Sequence, residues 1–126
     1  MRNGLYGSYK GKLYEARVKD SKTYILCSYN KEDIINGFSL YKDIVYVKTV
    51  SKDDVEYIYR ITTFAEYNYI KVQVIKETND KILISKMDGD CNLLLKIGME
   101  KVDKGIYQKW VSKDSVSKIY EEKELL

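Results

Sequence analysis

The sequence predicts an α+β fold, rich in strands and built as an internal duplication. Two β-β-α-β-α halves, each the size of an SH3-like domain, are expected to pack about a pseudo-two-fold axis. Three observations lead there. Residues 37–59 repeat at an offset of 61, with Gly37, Tyr46, Lys48, Val50, Ser51, Lys52, Asp53, Val55, Ile58 and Tyr59 each meeting an identical residue. Apolar residues alternate at period two through Tyr14, Ala16, Val18 and again through Ile70, Val72, Val74, which reads as half-buried strand. Each copy also carries capping residues ahead of short apolar runs. Tandem SH3-like β-barrels are the alternative arrangement of the same halves.

The first half opens on a lead-in strand, Leu5–Tyr9, followed by Lys12–Lys19 and, after the turn Asp20-Ser21-Lys22, by Thr23–Ser28. The β-forming side chains of the last two make a hairpin. Asn30 then suits an N-cap, Glu32 and Asp33 suit a first helical turn, and Gly37 suits a left-handed stop. A third strand, Ile44–Val50, leads to Ser51, which caps a predicted helix over 52–59 with Val55, Ile58 and Tyr59 at helical spacing.

The second half repeats this plan. Ile61–Tyr67 leads in, Ile70–Ile75 and Lys81–Ser85 form the hairpin, and Asp90 caps a helix that ends at Gly98. Ile106–Val111 is the third strand, and Ser112 caps a helix over 113–120. The domains are therefore read as 1–61 for the first repeat and 62–120 for the second, with 121–126 a charged C-terminal tail. Halves of this size bury little core alone, so the two are expected to fold as one unit.

The composition excludes much chemistry. There is no His among 126 residues. That removes Ser–His and Cys–His nucleophile pairs, imidazole bases and His-ligated metal sites within the chain. Met87-Asp88-Gly89-Asp90 resembles the start of a calcium loop, but the twelfth position from Asp88 is Met99, which cannot ligate. No Gly-rich phosphate cradle is present. No catalytic residue, metal or cofactor is expected, and the protein reads as no enzyme.

Cys27 and Cys91 read as separate reduced thiols, which together with the absence of an apolar leader points to the cytoplasm. No run is long enough to span a membrane. The net charge of +3 is small, and no basic stripe stands out, which speaks against nucleic acid as partner.

The excess lies in Tyr, of which there are 13. Tyrosine on rigid strands offers large contact area at low entropic cost. Positions where an aromatic residue in one copy is not kept in the other are free to specialise: Tyr29 against Lys86, Tyr41 against Val102, Tyr57 against Lys118, and Trp110 against Thr49. These four, with a local acidic patch of Asp53, Asp54 and Glu56, form the expected partner-binding set.

The pattern Leu-Tyr-x-x-Tyr-Lys-Gly-Lys-x-Tyr-Glu from Leu5, then Tyr-Ile-Leu-x-Ser, Asn-Gly-Phe and the Val-Ser-Lys-Asp-x-Val of the repeat, resembles small duplicated immunity proteins. These belong to the polymorphic or contact-dependent toxin systems of low-GC Gram-positive bacteria. The resemblance covers residues 5–122. It implies a stoichiometric inhibitor that binds a cognate toxin domain in the cytosol and occludes its active site. It transfers no particular binding residue. A tandem SH3-like module that binds nucleic acid or peptide is the competing reading.

Overall fold

The computed structural model describes residues 1–126. It is nearly all β: eleven strands, one short α-helix and three single turns of 3₁₀ helix. The strands are β1 (Gly4–Tyr9), β2 (Lys12–Val18), β3 (Thr23–Ser28), β4 (Ser39–Tyr41), β5 (Val45–Ser51), β6 (Tyr57–Tyr67), β7 (Ile70–Glu77), β8 (Lys81–Met87), β9 (Glu100–Asp103), β10 (Ile106–Ser112) and β11 (Ile119–Leu125). The helix α1 is Cys91–Lys96, and the 3₁₀ turns are Lys31–Ile34, Lys52–Asp54 and Lys113–Ser115. Hydrogen-bonded neighbours run β4-β5-β3-β2-β1-β6-β7-β8-β10-β9, with β11 also on β6, as one antiparallel sheet by connectivity.

This overturns the expected fold class. The chain is neither two β-β-α-β-α halves nor tandem closed barrels, because the ladder path ends at β4 and β9 without closing. The segments 52–59 and 113–120 are not helices. Ser51 and Ser112 do cap, accepting from the backbone N–H of Asp53 and Asp114, but each caps one 3₁₀ turn. Val55 and Val116 are already extended. Beyond them Ile58, Tyr59 and Ile61, or Ile119 and Tyr120, are β-branched and aromatic, and such side chains favour strand. Residues 121–126, read as a tail, lie largely within β11.

Two compact units are defined by their internal contacts. The first-repeat unit holds Gly4–Ile61 with Lys123–Leu126, and the second-repeat unit holds Thr62–Glu122 with Met1–Asn3. Tyr9, Tyr14, Ala16, Leu26, Phe38 and Val50 form the core of the first. Tyr67, Val72, Val74, Ile84, Met99 and Val111 stand at the equivalent places of the second. Strand register fixes the equivalence. Ala16 lies opposite Leu26, which lies opposite Lys48. Val74 lies opposite Ile84, which lies opposite Lys109. The extra residue of the second copy sits as an irregularity between Val74 and Lys76. Tyr29 therefore corresponds to Met87, and Ser28 to Lys86, one place away from the alignment by sequence.

What both copies keep is structural. Lys48 Nζ donates to the Asn36 carbonyl at 3.0 Å, and Lys109 Nζ to the Ile97 carbonyl at 3.3 Å. Each ammonium lies over a core tyrosine ring, Tyr9 at 5.2 Å or Tyr67 at 5.4 Å. The carbonyls left free at the end of a helical turn thus gain a cationic donor. Gly37 and Gly98 both take φ +88, and a β-carbon on either would stand 2.8 Å from the lysine Nζ.

What only one copy has is more telling. The β1–β2 turn places Lys10 and Gly11 at φ 48 and 79, while the β6–β7 turn places Asn68 and Tyr69 at φ 48 and 64. Tyr69 is fully exposed, at 103%. It holds a left-handed conformation that is unfavourable for a bulky residue. We expect Tyr69→Gly to stabilise the protein by about 1 kcal/mol, seen as a higher urea midpoint at unchanged slope.

Candidate functional site

In the first-repeat unit, side chains of β2, β3, β4 and β5 alternate between the core and an outer wall. Ile25 and Cys27 point outward beside Val45 and Val47, since Cys27 pairs with Val47 and Ile25 with Thr49. Tyr41 pairs with Val45 from the edge strand, and Tyr29 follows the end of β3. With Arg17 these residues line a cleft of about 350 Å³. Its floor is apolar, and its two tyrosines are exposed by 67% for Tyr29 and 51% for Tyr41. Burial raises the Cys27 thiol pKa, so it is a packing group and not a nucleophile.

Tyr29 is also part of a second cleft, of about 300 Å³, where β2 and β3 separate beyond the Glu15–Cys27 pair. Its inner end is a network that sequence reasoning missed. Asp33, only 1% exposed, accepts from Tyr14 OH at 2.9 Å, Asn36 Nδ2 at 2.9 Å, Lys12 Nζ at 3.2 Å and the Ser28 hydroxyl. The Ser28 hydrogen bond, with those from Asn36, Tyr14 and Lys12, outweighs burial and lowers the carboxyl to about 2. Burial first, then the bond to Asp33, raises Tyr14 to about 12. Asp33 is thus a fixed anion, too weak a base to take a proton near neutral pH.

The second copy builds the same corner from apolar groups. Ile70, Val72, Leu94 and Ile97 stand where Lys12, Tyr14, Asp33 and Asn36 stand, and Leu94 is equally buried, at 1%. The backbone agrees: Phe38 N–H donates to the Asp33 carbonyl at 3.1 Å, and Met99 N–H to the Leu94 carbonyl at 3.0 Å. The fold therefore does not require the carboxylate.

The seven residues expected from sequence fall in separate places. Tyr29 and Tyr41 share the apolar cleft. Tyr57 and Glu56 line another, of about 230 Å³, with Tyr24, Lys52, Val55, Ile58, Leu125 and Leu126. There Glu56 accepts from the Gly11 N–H at 3.1 Å, which ties it to the β1–β2 turn, and Tyr57 stacks obliquely with Tyr59 at 6.2 Å. Asp53 and Asp54 are exposed on their 3₁₀ turn. Trp110 belongs to the second-repeat unit, beside Leu83, Val102 and Gln108. No group of three or more His, Cys, Asp or Glu is placed to hold a metal ion. No helix is long and apolar enough to cross a membrane.

A family match extends over residues 1–126. The chain belongs to the family described as Uncharacterised conserved protein UCP033725. Neither the curated proteins nor the solved structures contain a match to it. Two features of the first copy are not repeated in the second: the apolar cleft between Tyr29 and Tyr41, and the polar corner under Tyr29.

Proposed function

We propose that this protein is a non-enzymatic immunity protein, which binds a cognate toxin domain in the cytoplasm and covers its active site. One observation carries the reading: two exposed tyrosines on a sheet wall, Tyr29 and Tyr41, frame an apolar cleft of about 350 Å³. A cleft of that size takes one or two partner side chains. Rigid aromatic groups around a pocket are what concentrates binding energy at protein interfaces. The second copy holds Met87, Val102 and Gln108 at the places of Tyr29, Tyr41 and Val47, so the tyrosine-framed cleft belongs to the first copy, while the second wall carries Trp110 where the first has Thr49.

The test begins with a search of the neighbouring genes for a toxin domain, whose absence would count against the proposal, and continues with co-expression and titration calorimetry of the purified pair. Cells are expected to survive only with the inhibitor, and the pair to bind one to one. Tyr29→Ala and Tyr41→Ala are each expected to weaken binding by roughly 30-fold or more, the effect of losing an interface hot spot, with the circular dichroism spectrum unchanged. Growth arrest despite the inhibitor, or full affinity after both substitutions, would defeat the proposal.

A further inference from the structure

In the second-repeat unit β8, β10 and β9 lie side by side, and their register sorts the outer face of the wall into rows. Ser85 lies opposite Gln108, and Gln108 opposite Glu100. Directly paired residues share a face, so a hydroxyl, an amide and a carboxylate run in one row across three strands. Two residues along β10 stands Trp110, opposite Leu83 and on the same face. Leu83, Trp110, Gln108, Glu100 and Val102 border a cleft of about 460 Å³.

The first copy has the same rows without this chemistry. Cys27 lies opposite Val47, and Val47 opposite Ser39. Thr49 lies opposite Ile25, where Trp110 lies opposite Leu83. The fold thus demands neither the amide, nor the carboxylate, nor the indole. Trp110 is 46% exposed beside the row. The side chains of Gln108 and Glu100 make no hydrogen bond or ion pair within the chain, so both are open to a ligand. Lys109 also borders the cleft, but its Nζ is engaged by Tyr67 OH at 2.9 Å and the Ile97 carbonyl at 3.3 Å. Glu100 is therefore the free charge of the site.

We propose that this cleft binds a neutral oligosaccharide, with one pyranose ring lying on the Trp110 indole and its hydroxyls bonded to Gln108 and Glu100. Three points select that class. A pyranose with equatorial hydroxyls presents a face of C–H groups, apolar and slightly positive, which suits the negative face of an indole. Each hydroxyl both donates and accepts, and the row answers with an acceptor-only carboxylate and an amide that does both. A free carboxylate repels phosphate, which disfavours nucleotides although their bases would also stack. The volume lies within the range of small-ligand sites. The site belongs to the second-repeat unit, whereas Tyr29 and Tyr41 belong to the first, so it does not depend on the proposed toxin contact.

The test is fluorescence titration of the full chain with cellotetraose and with tetra-N-acetylchitotetraose, each up to about 10 mM. Trp110 is the single tryptophan of the chain, so its emission reports this site alone. The expected result is a saturable blue shift with at least one of the two sugars, at a Kd of about 1 mM or below. Adenosine monophosphate is expected to give no saturable shift over the same range. In titration calorimetry, Trp110→Ala is expected to weaken binding roughly 10-fold or more. Gln108→Val/Glu100→Ser, which places the first copy's residues in the row, is expected to weaken it at least about 5-fold. Circular dichroism checks that both variants are folded. No shift with either sugar at about 10 mM overturns the proposal. So does an equal response to adenosine monophosphate, or full affinity in either variant.

Discussion

Leu94→Asp is expected to unfold the second-repeat unit, at a cost of about 3–5 kcal/mol, the penalty for a buried charge without partners. The same carboxylate is held at the equivalent place in the first copy, where Lys12, Tyr14, Ser28 and Asn36 all donate to Asp33. Around Leu94 the corresponding residues are Ile70, Val72 and Ile97, which carry no side-chain donor, and Lys86, a single point charge in place of the Ser28 hydroxyl. Urea unfolding followed by circular dichroism checks it. A midpoint within error of wild type would mean that the two corners are not packed as described.

The converse substitution has the second large effect. Asp33→Leu removes the acceptor and leaves the buried donors of Tyr14 and Ser28 unpaired. Since one partner is deleted and the others stay, we expect a loss of about 3 kcal/mol. Asp33→Leu together with Tyr14→Phe, Ser28→Ala and Asn36→Ile removes the acceptor and three of its four donors, leaving only the half-exposed Lys12. That set is expected to return to within about 1.5 kcal/mol of wild type, because an apolar replacement of a whole buried network is often near neutral.

The network also makes part of the protein's stability depend on pH. The folded carboxyl titrates at about 2, whereas a free aspartate titrates near 3.9. Between these values the unfolded chain binds more protons than the folded one. The stability contributed by Asp33 is therefore complete above about pH 4 and is lost as pH falls toward 2. Its size is on the order of 2 kcal/mol. The four-fold apolar variant should not show that component in its stability between pH 4 and 2.

Individual strands were legible in the sequence, whereas the fold class was not. β2, β3, β7, β8 and β10 announce themselves by alternation and β-branching, and Asp90 caps α1 as expected, accepting from the N–H of Asn92 and Leu93. Val55, Ile58 and Tyr59 satisfy helical spacing, yet Tyr57 and Tyr59 point to one side of β6 and Ile58 to the other. Over five residues the two periods cannot be told apart, and pairing with β1 decides for strand. β11 was hidden because an exposed strand shows no alternation. It is tied down instead by Arg2 to Glu121 at 2.8 Å and Lys71 to Glu122 at 2.7 Å, partners more than fifty residues away.

Asp33 illustrates the limit for the site. As a residue it reads as an acid favouring the start of a helical turn. Its burial depends on Tyr14 and Lys12, 19 and 21 residues upstream, and nothing local marks them as its donors. The internal duplication is the sequence signal that could have found it, because an acid aligned with Leu94 already asks which environment could accept both.

The division of the chain between its units has a practical side. Residues 1–3 belong with the second repeat and residues 123–126 with the first, where Leu126 N–H donates to the Ile58 carbonyl at 2.9 Å and Lys123 lies 4.4 Å from the Tyr59 ring. An affinity tag or fluorophore fused at the C-terminus therefore burdens the repeat that begins the chain, and one at the N-terminus burdens the repeat that completes it. Reporters attached by the usual reasoning would label the opposite unit from the one intended.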